Sequence, residues 1–392
     1  MSWQTLDLMS QRKEFLALAA LSAVSFSELC RRFRISRKTG YKWLHRHQAG
    51  EVLLDRSRRP HHSPWRYDGA VVTELNTLYA QWGWGGRKLR RRLQNLGRKQ
   101  VPAASTCTQI LRRSGAYADQ PPPASVAWQR FERARPNELW QMDHKSEVPT
   151  QTGAWCYPLT VLDDHSRFNL VLDSAARRHA PAVQQALTGA FATYGLPEAI
   201  LCDNALPWGN PEPVCPYTTF TVWLLRLGVR VLHGRPYHPQ TQGKEERFHR
   251  TLERELLSRH TWQDLAHCAR EFPAYRHRYN TERPHDSLGG DTPMSRYRPS
   301  ARSLPAALPA LEYATPMQVV RVRPQGAITF GGQSWYVGRA FAGLPIGLRP
   351  SPQADGQWEV WFQHRAIGQI DLRTPHEPKH KLRSIYPPKP PS

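Results

Sequence analysis

The middle of the chain constrains the fold most, because strand-like and helix-like runs alternate there and two strand-like runs end on an acid. Glu138-Leu-Trp-Gln-Met-Asp143 alternates apolar and polar residues up to Asp143, and Trp155 to Leu162 with Phe168 to Leu172 flank the turn Asp163-Asp-His-Ser-Arg167 as a hairpin. Pro181 to Tyr194 has helical spacing, and Glu198-Ala-Ile-Leu-Cys-Asp203 is a short buried strand that again finishes on a carboxylate. A helix-and-strand unit, Tyr217 to Leu232, then leads to a helix after Gly243 whose Phe248, Leu252 and Leu256 share one face. This order suits a mixed α/β sheet with the two acid-ended strands side by side, bringing Asp143 and Asp203 together.

The helix after Gly243 supplies a third acid. Its periodicity places Glu246, Arg250 and Glu253 on adjoining faces and Glu245 closer to the Phe248-Leu252 stripe, which does not choose between Glu245 and Glu246. Three converging carboxylates repel one another unless a cation neutralises them, and hard oxygen ligands select Mg²⁺, with Mn²⁺ as substitute. Two such ions suit chemistry at phosphorus. Asp163 and Asp164 are explained by the hairpin turn.

Proline-rich stretches at about Gln120 to Ala124, Pro299 to Pro316 and from Pro375 divide the chain into three main blocks. The first is helical and basic. A helix from Ser10 to Leu21, a second at Ser27 to Phe33 and a third capped by Ser36 form a helix-turn-helix. Tyr41 and Leu44 are expected inside, leaving Arg37, Lys38, Lys42 and Arg46 for phosphates and base edges. A second helical module follows, with helices at Tyr67 to Gln81, Arg87 to Leu96 and Ser105 to Ser114. Its run Arg87, Lys88, Arg90, Arg91, Arg92 is too dense for ion pairing within the helix and points to a phosphate backbone, with a merely basic face as the alternative. After Pro316, short runs between Gly-rich turns read as a small SH3-like barrel.

Composition agrees. Lys and Arg total 54 against 32 Asp and Glu, a formal charge of +22 that fits a polyanionic partner, nucleic acid before a generic basic protein. The cysteines at 30, 107, 156, 202, 215 and 268 include no CxxC pair, so neither a disulfide framework nor a zinc knuckle is indicated, and the chain reads as reduced and cytoplasmic. No stretch has the length needed to cross a membrane.

Taken in order, Ser36-Arg-Lys-Thr-Gly-Tyr-Lys-Trp-Leu44, Trp140-Gln-Met-Asp143, Leu162-Asp-Asp-His-Ser-Arg167, Asp203-Asn204, His238-Pro-Gln-Thr241, Gly243-Lys244, Glu246-Arg-Phe-His-Arg250 and Tyr279-Asn-Thr-Glu-Arg-Pro-His285 resemble the insertion-sequence transposases similar to the IS481 group, relatives of retroviral integrases. The resemblance covers nearly the whole chain. It implies a multidomain protein: N-terminal all-α helix-turn-helix modules, a central α/β RNase H-like integrase core and a C-terminal small β-barrel. It implies that Asp143, Asp203 and Glu246 are the metal-binding and catalytic triad. His238 and Lys244 are candidates for phosphate contact near it, with a loop-fixing role as the alternative for His238, which precedes a proline. The expected domains are residues 1–55 and 56–118 for the helical modules, 119–135 as linker, 136–300 for the core, 301–316 as linker, 317–374 for the barrel and 375–392 as tail. Ala205 stands where the family usually has Gly, Gln242 where Asn is more usual, and Glu245 where an apolar residue is more usual. A segment bearing Pro207, Pro211 and Pro213 lengthens the gap before the third acid.

The expected activity is that of a DDE transposase: metal-dependent cleavage at the ends of a mobile element and strand transfer into target DNA. The expected partners are double-stranded DNA and a second or further copies of the chain, in the bacterial nucleoid. A non-catalytic DNA-binding relative and a simple metal nuclease are the alternatives.

Overall fold

The computed structural model describes residues 8–56, 68–116, 132–203, 208, 217–233, 243–373 and 380–382. They fall into two compact units, one within residues 1–67 and the other within 68–392.

In the first unit, α1 (Leu8–Leu21), α2 (Phe26–Arg32) and α3 (Arg37–Gln48) enclose Phe15, Leu16, Leu29, Cys30, Trp43 and Leu53. Ser25 and Ser36 cap α2 and α3 by accepting the Glu28 and Thr39 amides, which satisfies N–H groups that a helix start leaves open. Gly40 sets how closely α3 packs: a β-carbon there would lie 2.7 Å from Cys30 Sγ and 3.1 Å from Phe15. The face through Gly40 continues to Trp43, so Trp43 is the buried aromatic. Tyr41, expected inside, is 41% exposed and lies against the Phe26 ring.

The second unit opens with α4 (Gly69–Trp82), α5 (Gly86–Asn95) and α6 (Ala104–Arg113) around Leu75, Trp84, Leu89, Leu93, Cys107 and Leu111. A β-carbon at Gly86 would come within 2.5 Å of the Thr108 hydroxyl, which is how α5 and α6 cross so closely.

The central sheet comprises β1 (Trp140–His144), β2 (Val148–Pro149), β3 (Trp155–Asp163), β4 (Asn169–Ala175), β5 (Ala199–Cys202) and β6 (Arg230–His233). Its order is β2-β3-β1-β5-β6, with β4 also on β3; β1 runs antiparallel to β3 and parallel to β5, and β5 runs parallel to β6. Side chains alternate across a strand, so each sheet face buries its own layer. Trp140, Met142, Leu159 and Val161 pack with Val183, Leu187 and Phe191 of α7 (Ala180–Tyr194) and Phe220 and Leu224 of α8 (Thr219–Arg226). Cys156, Leu162 and Leu172 pack with Phe248 and Leu252 of α9 (Gly243–Glu255) and Phe272, Tyr275 and Tyr279 of α10 (Leu265–Thr281). The result is a mixed sheet covered by helices on both faces, the architecture expected of an RNase H-like integrase core.

A short α11 (Pro293–Arg296) precedes the C-terminal strands. These are β7 (Gln318–Arg321), β8 (Ala327–Phe330), β9 (Gln333–Tyr336), β10 (Pro345–Pro350), β11 (Gln357–Phe362), β12 (Arg365–Asp371) and β13 (His380–Lys381). They form two sheets, β12-β11-β10-β7 and β13-β9-β8. Both face one core of Ile328, Trp335, Ile346, Leu348, Val360, Phe362 and Ile370, into which α8 inserts Val222 and Leu225. The expected barrel is therefore an open arrangement: among the described residues the two sheets are separate ladders. Among those residues no helix is long and apolar enough to cross a membrane, and the five described cysteines are buried free thiols.

Candidate active site

Asp143 is the penultimate residue of β1 and Asp203 directly follows β5. Because β1 and β5 are parallel neighbours, with Trp140 opposite Ile200 and Gln141 opposite Leu201, both strands deliver their acids at the same end of the sheet. The buried Phe248 and Leu252 fix α9 over that region. The electrostatics register the approach. The Asp143 carboxyl is pushed up to about 6, first by burial, then by the Asp203 charge, with Glu246 adding in the same direction; the His144 amide, donating at 2.8 Å, and Arg178 oppose the shift. Carboxylates whose charges act on one another are a donor set that a hard divalent cation suits. Among the described residues, however, no group of three His, Cys, Asp or Glu side chains encloses a common point that a metal would occupy. Glu246 is exposed, and the Trp208 indole N–H donates to Asp203.

Glu245 and Glu246 take opposite environments. Glu245, on the apolar side of α9 as its spacing suggests, is fully buried, and its Oε2 accepts from the Thr160 hydroxyl at 3.0 Å. That hydroxyl also lies 3.0 Å from the Asp143 carbonyl and 2.8 Å from His249 Nε2, so Thr160, which pairs with Asp143 across the β1–β3 ladder, links the two acids. Burial, then the Asp143 charge, holds the Glu245 carboxyl well above the usual carboxylate range. His144 stacks on the Trp208 ring at 5.2 Å, and burial drives both His144 and His249 down to about 4, so both rings are neutral at physiological pH. Thr160, Trp208 and His249 escaped the sequence reading. Only their positions offered a signal: Thr160 lies on the strand beside Asp143, and His249 one turn after Glu245.

The other anticipated contacts are distributed differently. His238 lies outside the described residues. Lys244 points to Asp164, with its Nζ 2.5 Å from the carboxylate and 3.1 Å from the backbone oxygen, and burial holds it down to about 8. Asp163 and Asp164 do explain the hairpin turn, but from inside the protein. Asp163 accepts the Asn137 and Ser166 amides, and Asp164 accepts from Gln141 and the Arg133 amide.

Three arginines of the basic run on α5 have carboxylates of the same chain beside them. Arg91 pairs with Asp291 at 2.8 Å, Arg92 with Glu282 at 2.5 Å, and Arg87, itself exposed, stands 3.8 Å from Asp286. Lys88 is partly buried and held down to about 8, by burial first and then by Arg283. The expectation of a phosphate partner overlooked these carboxylates because they lie about two hundred residues away in sequence, beyond any helical spacing. In the first unit Arg37 and Lys38 are exposed, whereas Lys42 lies 4.1 Å over the Trp43 ring and 3.4 Å from Asp55. Arg46 donates to the Leu54 carbonyl at 2.9 Å.

Comparison with known proteins places the same segments in families. A helix-turn-helix domain matches residues 11–61, two integrase core domain families match 133–239 and 227–293, and the IS481 family transposase C-terminal domain matches 317–378. An uncharacterized 31.7 kDa protein of insertion element IS407 from Burkholderia multivorans is 28% identical over 157 residues, covering 39% of this chain and 52% of that protein. The Gag-Pro-Pol polyprotein of Sheep pulmonary adenomatosis virus is 29% identical over 131 residues, 33% of this chain and 7% of the polyprotein. The chain thus spans about half of the insertion-element relative and under a tenth of the viral one. A chain of a simian T-cell lymphotropic virus intasome is 17% identical, with 74% of this chain and 98% of that one covered at a TM-score of 0.37.

Proposed function

We propose, from the matches to an IS481 family transposase C-terminal domain and to integrase core domains, that the chain is a DDE transposase that binds the ends of a mobile DNA element and performs divalent-metal-dependent strand cleavage and strand transfer. The observation that carries the reading is the parallel pairing of β1 with β5, which delivers Asp143 and Asp203 to one end of the sheet, with α9, the helix that bears Glu246, packed against β1. Asp143, Asp203 and Glu246 would hold Mg²⁺, or Mn²⁺ in its place, and two bound ions would supply charge neutralisation at the scissile phosphate. Around them the chain's own residues set the geometry. The Thr160 hydroxyl ties the Asp143 backbone to the buried Glu245, His144 stacks on Trp208, and the Trp208 indole orients Asp203.

Arg37 and Lys38, exposed at the start of α3, are the cations of the first unit best placed for DNA. Handling two element ends together calls for two or more copies of the chain on DNA.

The test is a strand-transfer assay with labelled duplexes taken from the DNA flanking the gene. Activity should require Mg²⁺ or Mn²⁺ and be nearly abolished in Asp143→Asn. Full activity in that variant would sink the assignment.

The alternative is a non-catalytic DNA-binding relative that keeps the fold without holding the ion. Mn²⁺ titration separates the two readings. A catalytic chain binds the ion and loses it in Asp203→Asn, and a pure DNA binder shows no difference between the two proteins.

A further inference from the structure

At the end of the sheet that carries Asp143 and Asp203, the first residues of β3 and the segment after β4 enclose an open cleft of about 500 Å³, lined among others by Trp155, Tyr157, Arg177, Arg178 and Leu265. The topology explains its place. β3 is antiparallel to β1, with Thr160 opposite Asp143, so the residues before Thr160 run beyond the end of β1. Tyr157 pairs with Ala175, which brings Arg177 and Arg178 to the same spot. Trp155 and Tyr157 are two residues apart and share one strand face. Trp155 is 47% exposed, an unusual state for a large aromatic in a strand. The Arg178 guanidinium lies 5.0 Å over the Tyr157 ring and pairs with Glu147 at 2.9 Å, and its charge is felt at Asp143. Arg177 is exposed.

We infer that this cleft is a single-strand subsite, holding one unpaired nucleotide of the DNA substrate with its base against Trp155 and its phosphate against the exposed Arg177, while Arg178 stays paired with Glu147 at the rim. An exposed aromatic face flanked by guanidinium groups is the chemistry that grips single-stranded nucleic acid, since any base has a π-face and the backbone supplies the negative charge. A base inside a duplex is already stacked, so the Trp155 face selects a nucleotide at a frayed or cut end. The cleft volume also falls in the range of small-ligand sites. Beside the acids, such a subsite would hold the end of a strand away from its complement. The inference rests on the reading of the chain as a DNA-processing enzyme.

The test uses the full chain and fluorescence anisotropy at one fixed salt concentration, with a blunt duplex and the same duplex bearing a short thymidine tail. The wild type should bind the tailed duplex about tenfold more tightly. Trp155→Ala should remove that preference while leaving blunt-duplex affinity intact, Trp155→Phe should retain most of it, and Arg177→Ala should lower tailed-duplex affinity and flatten its salt dependence. A wild type without the preference, or a Trp155→Ala variant that keeps it, overturns the subsite. So does displacement of the tailed duplex by polyglutamate but not by oligothymidine, which would mark an acidic peptide as the occupant. A chain inactive in strand transfer that still prefers tailed DNA through Trp155 sinks the transposase reading alone, whereas an active chain indifferent to Trp155→Ala sinks only the subsite.

Discussion

The indole N–H of Trp84 donates to the carboxylate of Glu255 across 3.2 Å, and both residues are buried. This contact joins the helical module of α4 to α6 to α9 of the integrase core. Around it Arg283 grips Glu255 with contacts of 2.9 to 3.1 Å, Arg278 lies 4.4 Å over the Trp82 ring, and Arg259 donates to the Ala80 carbonyl at 2.8 Å. A buried aromatic that also satisfies a buried carboxylate is core packing, so the module and the catalytic domain should unfold together. Trp84→Ala should destabilise this unit by about 3–5 kcal/mol, read by chemical denaturation. Separate transitions for module and core in the wild type would contradict the joint unfolding.

Glu255 is the acceptor on which this junction converges. Burial by itself would raise its pKa, but the Arg283 charge and hydrogen bonds outweigh burial and hold the carboxyl below its ordinary value. Its contribution is therefore present above the unfolded carboxylate range and is lost as pH falls through the lowered value. Glu255→Gln leaves the buried Arg283 cation without a counter-ion and should cost about 3–5 kcal/mol at neutral pH. A loss under 1 kcal/mol in the same denaturation measurement would show that Arg283 is not dependent on this pair.

Lys88 predicts a slope of the same sign, in the alkaline range. Burial first and Arg283 second hold it down to about 8, whereas an unfolded lysine titrates near 10.4. Above pH 8 the folded chain binds fewer protons than the unfolded one, so stability rises with pH by up to about 1.4 kcal/mol per unit from this group. The rise between pH 8 and about 9.5 should be smaller in Lys88→Met than in the wild type. Parallel pH profiles for the two proteins would show that Lys88 titrates normally.

Arg91 and Arg37 should behave differently toward DNA although sequence spacing treats them alike. Arg91 is held by Asp291, while Arg37 is exposed on α3. Arg37→Ala should weaken duplex binding and reduce the slope of affinity against salt by about 1, the signature of one lost phosphate contact. Arg91→Ala should leave that slope unchanged. The reverse pattern in salt-dependent titrations would place DNA on α5.

In the first unit, Gly40→Ala pushes a β-carbon into Cys30 Sγ and Phe15. Overpacking of this kind should cost about 1–3 kcal/mol and lower the unfolding temperature of the helix-turn-helix unit within the full chain. An unchanged melting profile would mean that α3 shifts freely on α2.

Much of this architecture was legible in one dimension. Helical and strand periods, the serines before α2 and α3, and acids at the ends of two buried strands are local signals, so the helices, the mixed sheet and the adjacency of Asp143 and Asp203 could be read from residue order. The spacing on α9 also put Glu245 nearer the apolar stripe, where it is buried, because burial follows helical phase, although it did not choose the third acid. What tertiary structure alone decided is the partner of each charge. Asp291 and Glu282 are 200 and 190 residues from the arginines they neutralise, Lys244 reaches back 80 residues to Asp164, and Trp84 meets Glu255 across 171. A sequence records where cations are dense, but whether such a cluster faces solvent, a phosphate or a folded-back carboxylate depends on how separated segments pack, because Coulomb energy follows distance in space and local dielectric.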